Sequence, residues 1–444
     1  MSAVSAQGGP PATKAMTIRK LGLADMPLDI HLNILEQLPD VLSLKTAVIA
    51  LEPLPRAFTA CSKSIATRVL RNELPEHIWG YAVVSQMLLD GIVEAPDLDG
   101  TEVSDFASHV DAVRMLRDAA PQALVSLSAA LAMSRLHRKV SELRALFIQD
   151  CAYSGKQQFL PLLDSIRHRP PTPTELNRIE KALYLFQILT CLCRNMTFSE
   201  TASSGYAARC RAKVAELQRC LVTRLMAPWE LYQVIAVECY FWRALHGLEG
   251  LQDVAERFMP DILASGVDLM HEALCLVGHA NVADFIAPFE QRALDRPFHA
   301  FSAIVSRGFS KTWTRKKLRP FARYTSFAVD KDKSGYRSWV KLEKEQLKLI
   351  GAHQSWADLL YDRLEALEER LDLWATALWD DSRWVDIVAT VKRPEPPLWL
   401  RIRHRWSSIR MVFVFVAEPS AIQEALDDAE RERLDAQLGR CRRL

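Results

Sequence analysis

The chain has 444 residues, of which 49% are hydrophobic and 25% are charged, and its formal net charge is only +2. This length suits one large core or two cores of ordinary domain size. The near-neutral balance excludes a protein that binds nucleic acid or lipid head groups through its overall charge.

The first segment, residues 1–20, is small and polar and contains paired glycines and paired prolines. We therefore expect a disordered leader without a signal peptide. The strongly apolar run 411–417 near the C-terminus is too short to cross a bilayer as a helix. The nine cysteines are an odd number, which is typical of reduced thiols. We expect a location in the cytoplasm, the nucleus or both, without membrane contact.

Residues 21–75 predict three short helices. Asp25 and Pro27 suit the start of the first, and Pro39 with Asp40 would end it. A second helix would follow Ser43, and a third would run from about residue 56 to 73. Such short helices bury too little apolar surface to form a large core alone. The segment therefore needs a partner surface, in this chain or on another protein.

Residues 76–310 predict a large, irregular helical domain. At residues 172–175 the sequence Thr-Pro-Thr-Glu is a capping-box pattern, with proline at the first helical position. The helix that follows, to about Asn195, is apolar almost all round, and so we expect it at the centre of the core. A further helix is predicted from Pro228 to Leu245. The acidic, turn-rich residues 90–105 predict a loop.

Residues 311–350 predict a basic loop or linker. Within 311–341, ten Lys or Arg face two Asp, a local net charge of +8, and four Trp or Tyr are interleaved. This pattern could bind phosphates and stack bases, and the candidate residues for anion or nucleic-acid binding are Arg315, Lys316, Lys317, Arg319 and Arg323. We favour the other interpretation, a solvated loop or ion pairs with the acidic remainder of the chain, and do not expect nucleic acid as the main partner.

Residues 351–444 are predicted to be a C-terminal helical part of the same domain. Apolar residues at positions 356, 360, 364, 367, 371, 374 and 378 follow a nearly heptad spacing. A coiled-coil dimer would produce this stripe, but only about three heptads are present. We favour a helix that lies along its own domain.

The segment 23–51, LADMPLDIHLNILEQLPDVLSLKTAVIAL, resembles the F-box. The family pattern begins with Leu-Pro-x-Glu-Ile, and here Met26-Pro27-Leu28-Asp29-Ile30 takes that place. Apolar residues at helical spacing then match both helices of the pattern: Ile34, Leu35, Leu38, Leu42, Leu44 and Val48. The segment departs from the family at Met26, at Asp29 and at His31, where an aliphatic residue is usual.

The resemblance continues along the chain. The stretches 62–74, 172–189 and 228–245 are similar to F-box-like proteins of filamentous fungi, and residues 373–384 are weakly similar to a Trp-Asp stretch near the end of such proteins. These pieces follow the same order and touch about half of the chain.

The resemblance implies a fold and a partner. F-box proteins dock on a Skp-type linker of a cullin-RING ubiquitin ligase, and their remaining domain recruits a protein substrate. Carried over to this sequence, the residues at or supporting the linker surface would be Pro27, Leu28, Ile30, Ile34, Leu38, Leu42 and Leu44. The alternative is that the same residues pack against the helical domain of this chain.

Motifs of enzymatic chemistry are weak. Ser154-Gly155-Lys156 lacks the other residues of a phosphate-binding loop. His271 and Cys275 have the spacing of two metal ligands on a helix, but the sequence shows no further ligand pair. We therefore predict a non-enzymatic interaction protein with no catalytic residues, no cofactor and no metal; the alternative is a nucleic-acid-binding protein that uses residues 311–341.

Overall fold

The structure, a computed structural model, describes residues 22–93, 103–153, 169–193, 224–246 and 265–275, and the isolated residues 217, 220, 262, 263, 337, 378 and 380. In these ranges the regular elements are all helices, which confirms the prediction of a mainly α-helical chain. The predicted leader, the basic stretch apart from Arg337, and the C-terminal part apart from Leu378 and Asp380 lie outside the described residues.

The α-helices are numbered here in chain order through the described residues. Two 3₁₀ helices, Leu23–Asp25 and Ala120–Gln122, accompany them. The α-helices are α1 (Leu28–Glu36), α2 (Val41–Ala50), α3 (Pro53–Ala60), α4 (Ser62–Glu73), α5 (Glu76–Leu89), α6 (Val103–Ala119), α7 (Leu127–Tyr153), α8 (Pro173–Cys193), α9 (Pro228–His246) and α10 (Val267–Cys275).

The chain divides into two compact units. Unit 1 comprises Met1–Glu73 and Leu124–Leu131, and unit 2 comprises Leu74–Ala123 and Ala132–Leu444. The division after Glu73 lies two residues before the end of the predicted 21–75 segment. The inclusion of Leu124–Leu131 in unit 1 was not indicated by any sequence pattern.

Unit 1 is built from α1–α4, in which α3 and α4 each contact both α1 and α2. Its core consists of fully buried aliphatic side chains, including Leu35, Val41, Leu44, Leu54, Ile65, Val69 and Leu70. Residues 124–131 join this unit through Val125, whose backbone N–H donates to Thr67 Oγ1 at 2.9 Å. The core of unit 1 therefore needs a segment that follows α6 in the sequence.

Two helix boundaries in unit 1 differ from the sequence prediction. Asp40 does not end α1 but caps α2, because its Oδ1 accepts the Ser43 N–H at 2.7 Å. The predicted third helix is two helices, α3 and α4, separated at Cys61 by a non-helical backbone conformation (φ −138°, ψ 34°). Pro53 and Pro55 lie in the first turn of α3, where proline needs no N–H partner.

Unit 2 is organised around α8, which is buried along almost its whole length and contacts α5, α9 and α10. The predicted capping box is present: Thr172 N–H donates to Glu175 Oε2 at 2.8 Å, and Glu175 N–H donates to Thr172 Oγ1 at 3.2 Å. The burial of α8 and its contacts with three other helices confirm the prediction of a central buried helix.

Three of the four buried charged residues of α8 have partners of opposite charge. Arg178 pairs with Asp380 at 3.0 Å, and Lys181 pairs with Glu230 of α9 at 3.5 Å. Glu180 accepts a short contact from Arg144 of α7. These pairs compensate three of the four buried charges of the helix. The fourth, Glu175, accepts the N–H groups of Thr172 and Asp380.

Membrane-spanning helices were sought in the described part of the chain. None of its helices has both the length and the apolar character that a bilayer crossing requires.

Candidate docking surface

Exposed apolar side chains are concentrated in α1, α2 and the residues that flank them. Seven of the twelve exposed large hydrophobic side chains in the described residues lie between Met26 and Leu51, each 36–74% exposed. They are Met26, Leu28, Ile30, Ile34, Leu42, Ile49 and Leu51. Exposed apolar side chains grouped on neighbouring helices of one unit are candidates for an interaction site. We call these seven residues the apolar surface.

Helix α1 divides its apolar residues between two faces. His31 and Leu35, four residues apart, are buried in unit 1, whereas Ile30 and Ile34 are exposed. The sequence pattern matched Ile30, Ile34 and Leu35 to the same first helix, and the structure places Leu35 on a different face of it from the two isoleucines. The outward pair forms a ridge next to the buried one.

Helix α2 is apolar on both sides, but the rest of unit 1 covers only one of them. Val41 and Leu44 are buried, whereas Leu42 and Ile49 lie two turns apart on the outer side and are 57% and 74% exposed. An amphipathic surface helix usually carries polar side chains on its outer face. The outer face of α2 is therefore suited to a further partner.

The structure places the predicted linker-contact residues in three environments. Five of them are exposed: Pro27, Leu28, Ile30, Ile34 and Leu42. Leu38 is half-buried. Leu44 is fully buried in the core of unit 1, and so it can support the surface but cannot touch a partner.

His31, one of the three departures from the F-box pattern, is turned inward. Its Nε2 lies 2.7 Å from the carbonyl oxygen of Leu23, in the 3₁₀ helix before α1. A buried imidazole without a partner would be costly, and this carbonyl provides the partner. His31 therefore ties the chain before α1 to unit 1 instead of interrupting the apolar surface.

We expect His31→Ala to lower the free energy of unfolding of unit 1 by about 1–2 kcal/mol, because it removes a buried hydrogen bond and leaves the Leu23 carbonyl without this partner. Hydrogen exchange of the α1–α4 amides in the full chain measures the change. The exposed Asn33 on the same helix provides the control, since Asn33→Ala should change stability by less than about 0.5 kcal/mol. Equal protection in both variants would contradict the role given to His31.

The candidate anion-binding residues Arg315, Lys316, Lys317, Arg319 and Arg323 lie outside the described residues. Their interpretation rests on the local charge of residues 311–341 alone.

One group of side chains in unit 2 has the composition of a metal site. His271 and Cys275 of α10 lie beside Glu142 of α7, and their ligand atoms are all within 4.8 Å of one another. Burial, and then the Glu142 carboxylate, raise the pKa of the Cys275 thiol. Sequence spacing pointed to the first two residues; Glu142 was missed because it is 129 residues from His271.

Comparison with known proteins adds no relative: no family model, no curated protein and no solved structure matches the chain. The F-box resemblance therefore rests on the residues of this sequence. The structure adds one fact, that the residues 26–48 on which the resemblance is based lie in unit 1.

Proposed function

We propose that this chain is a non-enzymatic interaction protein whose apolar surface docks on a Skp-type linker of a cullin-RING ubiquitin ligase, and whose unit 2 recruits a protein substrate. One observation carries the proposal: seven large apolar side chains between Met26 and Leu51 remain exposed around a small, fully formed core. Their positions coincide with the segment that resembles the F-box.

The apolar surface is large enough in energetic terms to act as an interface. Full burial of one Leu or Ile side chain stabilises by about 1.5–3 kcal/mol. The seven side chains are one-third to three-quarters exposed, and so each retains a corresponding part of that free energy for a partner. Since a few well-packed apolar residues usually supply most of the affinity of an interface, this surface meets the requirement.

Single aspartate substitutions test the docking surface. Purified full chain carrying Ile34→Asp or Leu42→Asp is expected to bind a Skp-type linker more than about tenfold more weakly than wild type, because a charge would be buried at the interface. The measurement is direct binding to the purified linker, followed by capture of the linker–cullin complex.

The matched control is Met115→Asp. Met115 is 67% exposed, more than Leu42 at 57% or Ile34 at 36%, but it lies on α6 in unit 2. It should bind the linker like wild type. Wild-type affinity in both the Ile34 and the Leu42 variants would show that the apolar surface is not the docking site. Failure of the wild-type chain to bind any Skp-type linker would overturn the proposal as a whole.

Point substitutions are preferable to deletion of residues 21–75. Leu124–Leu131 belongs to unit 1, and its Val125 and Ala130 are buried there. Deleting the N-terminal part would expose these side chains in the remaining protein and create a new apolar surface that could bind other proteins non-specifically. A loss of binding in the deletion variant would then have two explanations.

The alternative, nucleic-acid binding through residues 311–341, has one observation in its favour, the local charge of +8 with interleaved aromatic residues. It becomes the better proposal if the wild-type chain does not bind the linker but shows strongly salt-dependent binding to a polyanion.

A further inference from the structure

Within unit 2, helix α10 and the part of α7 that follows Leu131 bring polar side chains together in matching order. Lys139 Nζ lies 2.9 Å from Asp268 Oδ1. One turn further along both helices, Glu142 Oε2 lies 2.5 Å from His271 Nε2. Another turn along α10, Cys275 Sγ lies 3.4 Å from the same His271 nitrogen. The first pair is a salt bridge of ordinary composition, whereas the second group contains nitrogen, oxygen and sulfur ligands.

We propose that Glu142, His271 and Cys275 form a Zn²⁺ site that joins α7 to α10, with water in the fourth position. His271 and Cys275 are four residues apart on one helix and so lie on the same face. Glu142 approaches that face from the other helix. Imidazole, thiolate and carboxylate are the three protein ligands that zinc commonly takes.

The distances suit a tetrahedral zinc ion. Zinc–ligand distances of about 2.0–2.3 Å place neighbouring ligand atoms about 3.4–3.6 Å apart. The sulfur–nitrogen separation of 3.4 Å between Cys275 and His271 already has this value. The Glu142–His271 separation of 2.5 Å must widen by about 1 Å. Glu142 is exposed, and a rotation of its flexible side chain is sufficient.

The composition of the group distinguishes zinc from other common ions. Mg²⁺ and Ca²⁺ prefer oxygen ligands, and this group offers only one carboxylate. A thiolate and an imidazole favour a borderline or soft metal such as Zn²⁺. A simple Glu142–His271 hydrogen bond would need no thiol, and so the position of Cys275 beside the histidine is the feature that favours a metal.

Helix α10 is held firmly enough to preorganise two ligands. Its Val267, Met270 and Ala273 are buried in unit 2. Its first N–H, on Val267, donates to Gln187 Oε1 of α8 at 2.7 Å. Ligands on a helix fixed in this way lose little conformational entropy when the ion binds.

Binding requires a proton balance and no change in oxidation state. The S–H bond of Cys275 breaks, its proton passes to solvent, and a zinc–sulfur bond forms with the thiolate electron pair. His271 binds in the tautomer that carries its proton on Nδ1, so the proton that Nε2 shares with Glu142 passes through solvent to Nδ1 and frees the Nε2 lone pair. The contact between Nε2 and Glu142 is then replaced by two metal–ligand bonds. Binding should therefore release a proton.

Cobalt substitution tests the site in the full-length protein, because Co²⁺ replaces Zn²⁺ and produces a near-ultraviolet thiolate charge-transfer band. We expect one Co²⁺ per chain with this band, displaced by Zn²⁺. Cys275→Ser should abolish the band, and His271→Ala or Glu142→Ala should weaken Co²⁺ binding by at least about tenfold.

The control is Cys61→Ser, which removes an exposed cysteine in unit 1 and should leave the band unchanged. Helix content by circular dichroism verifies that each variant is folded. A band that persists in Cys275→Ser, or disappears in Cys61→Ser, would assign the metal to other cysteines and refute this site. The lack of any band with wild-type protein at micromolar Co²⁺ would refute it as well.

Discussion

Replacing Glu230 with alanine is expected to lower the free energy of unfolding of unit 2 by about 3–5 kcal/mol, the range for breaking a buried ion pair by removal of one partner. Glu230 lies in the first turn of α9 and has no exposed surface. Its carboxylate accepts the Ala227 N–H at 2.7 Å and lies 3.4 Å from the Tyr81 hydroxyl and 3.5 Å from Lys181 Nζ. Alanine would remove this acceptor from all three groups.

A second buried cation also depends on this carboxylate. Arg117 is 1% exposed and stacks over the Tyr81 ring, with its Cζ 5.3 Å from the ring centre. Burial lowers the pKa of Arg117, but the negative charges that Tyr81, Glu230 and Asp118 can carry outweigh this, and the net shift is upward. Arg117 keeps two contacts of its own, to Asp118 Oδ1 at 3.0 Å and to the Leu225 carbonyl oxygen at 3.0 Å, so alanine at position 230 would weaken the compensation of its charge without removing it.

Tryptophan fluorescence during urea denaturation measures this loss. The sequence contains no Trp in residues 1–73 or 124–131, whereas Trp79 and Trp229 are buried in unit 2, so the signal reports on unit 2. Glu272→Ala, at an exposed position of α10, is the control and should change stability by less than about 0.5 kcal/mol. A loss below about 1 kcal/mol in Glu230→Ala would show that Lys181 and Arg117 do not depend on it.

Local patterns predicted the parts of the fold that depend on neighbouring residues. The capping box at Thr172 and Glu175 was predictable because both hydrogen bonds form within four residues. The two long helices that begin at Pro173 and Pro228 were predicted close to their observed bounds, since their apolar residues are periodic and their first residue is proline.

Interactions between distant segments were not predictable from these patterns. The burial of the charged residues of α8 was not predictable from the neighbouring sequence. Lys181, for example, is compensated by Glu230, which lies 49 positions away in the sequence. Glu142 and His271 meet only because α7 and α10 pack in one unit. His31 stands where the F-box pattern usually has an aliphatic residue. Its hydrogen bond to Leu23 was not predictable, because it depends on a 3₁₀ helix that the apolar periodicity does not indicate.

Gly266→Ala is expected to lower the free energy of unfolding of unit 2 by about 2–5 kcal/mol. Gly266 precedes α10 with φ of +82°, a conformation in which a Cβ costs about 1–2 kcal/mol. That Cβ would also come within 2.6 Å of Gln187 Oε1 and 3.0 Å of Thr190 Oγ1. Relief of such overpacking costs a further 1–3 kcal/mol, about the same as the backbone term. Gln187 cannot move away without releasing the Val267 N–H that it accepts.

Gly91→Ala separates the two contributions. Gly91, after α5 in the same unit, has φ of +68°, but a Cβ there would meet nothing within 4 Å. It should cost only the backbone term of about 1–2 kcal/mol. Both variants are measured by tryptophan fluorescence in urea, and equal losses would show that the contact with Gln187 is relieved without cost. Because Gly266 also positions His271 and Cys275, its alanine variant should bind Co²⁺ more weakly, whereas Gly91→Ala should bind it like wild type.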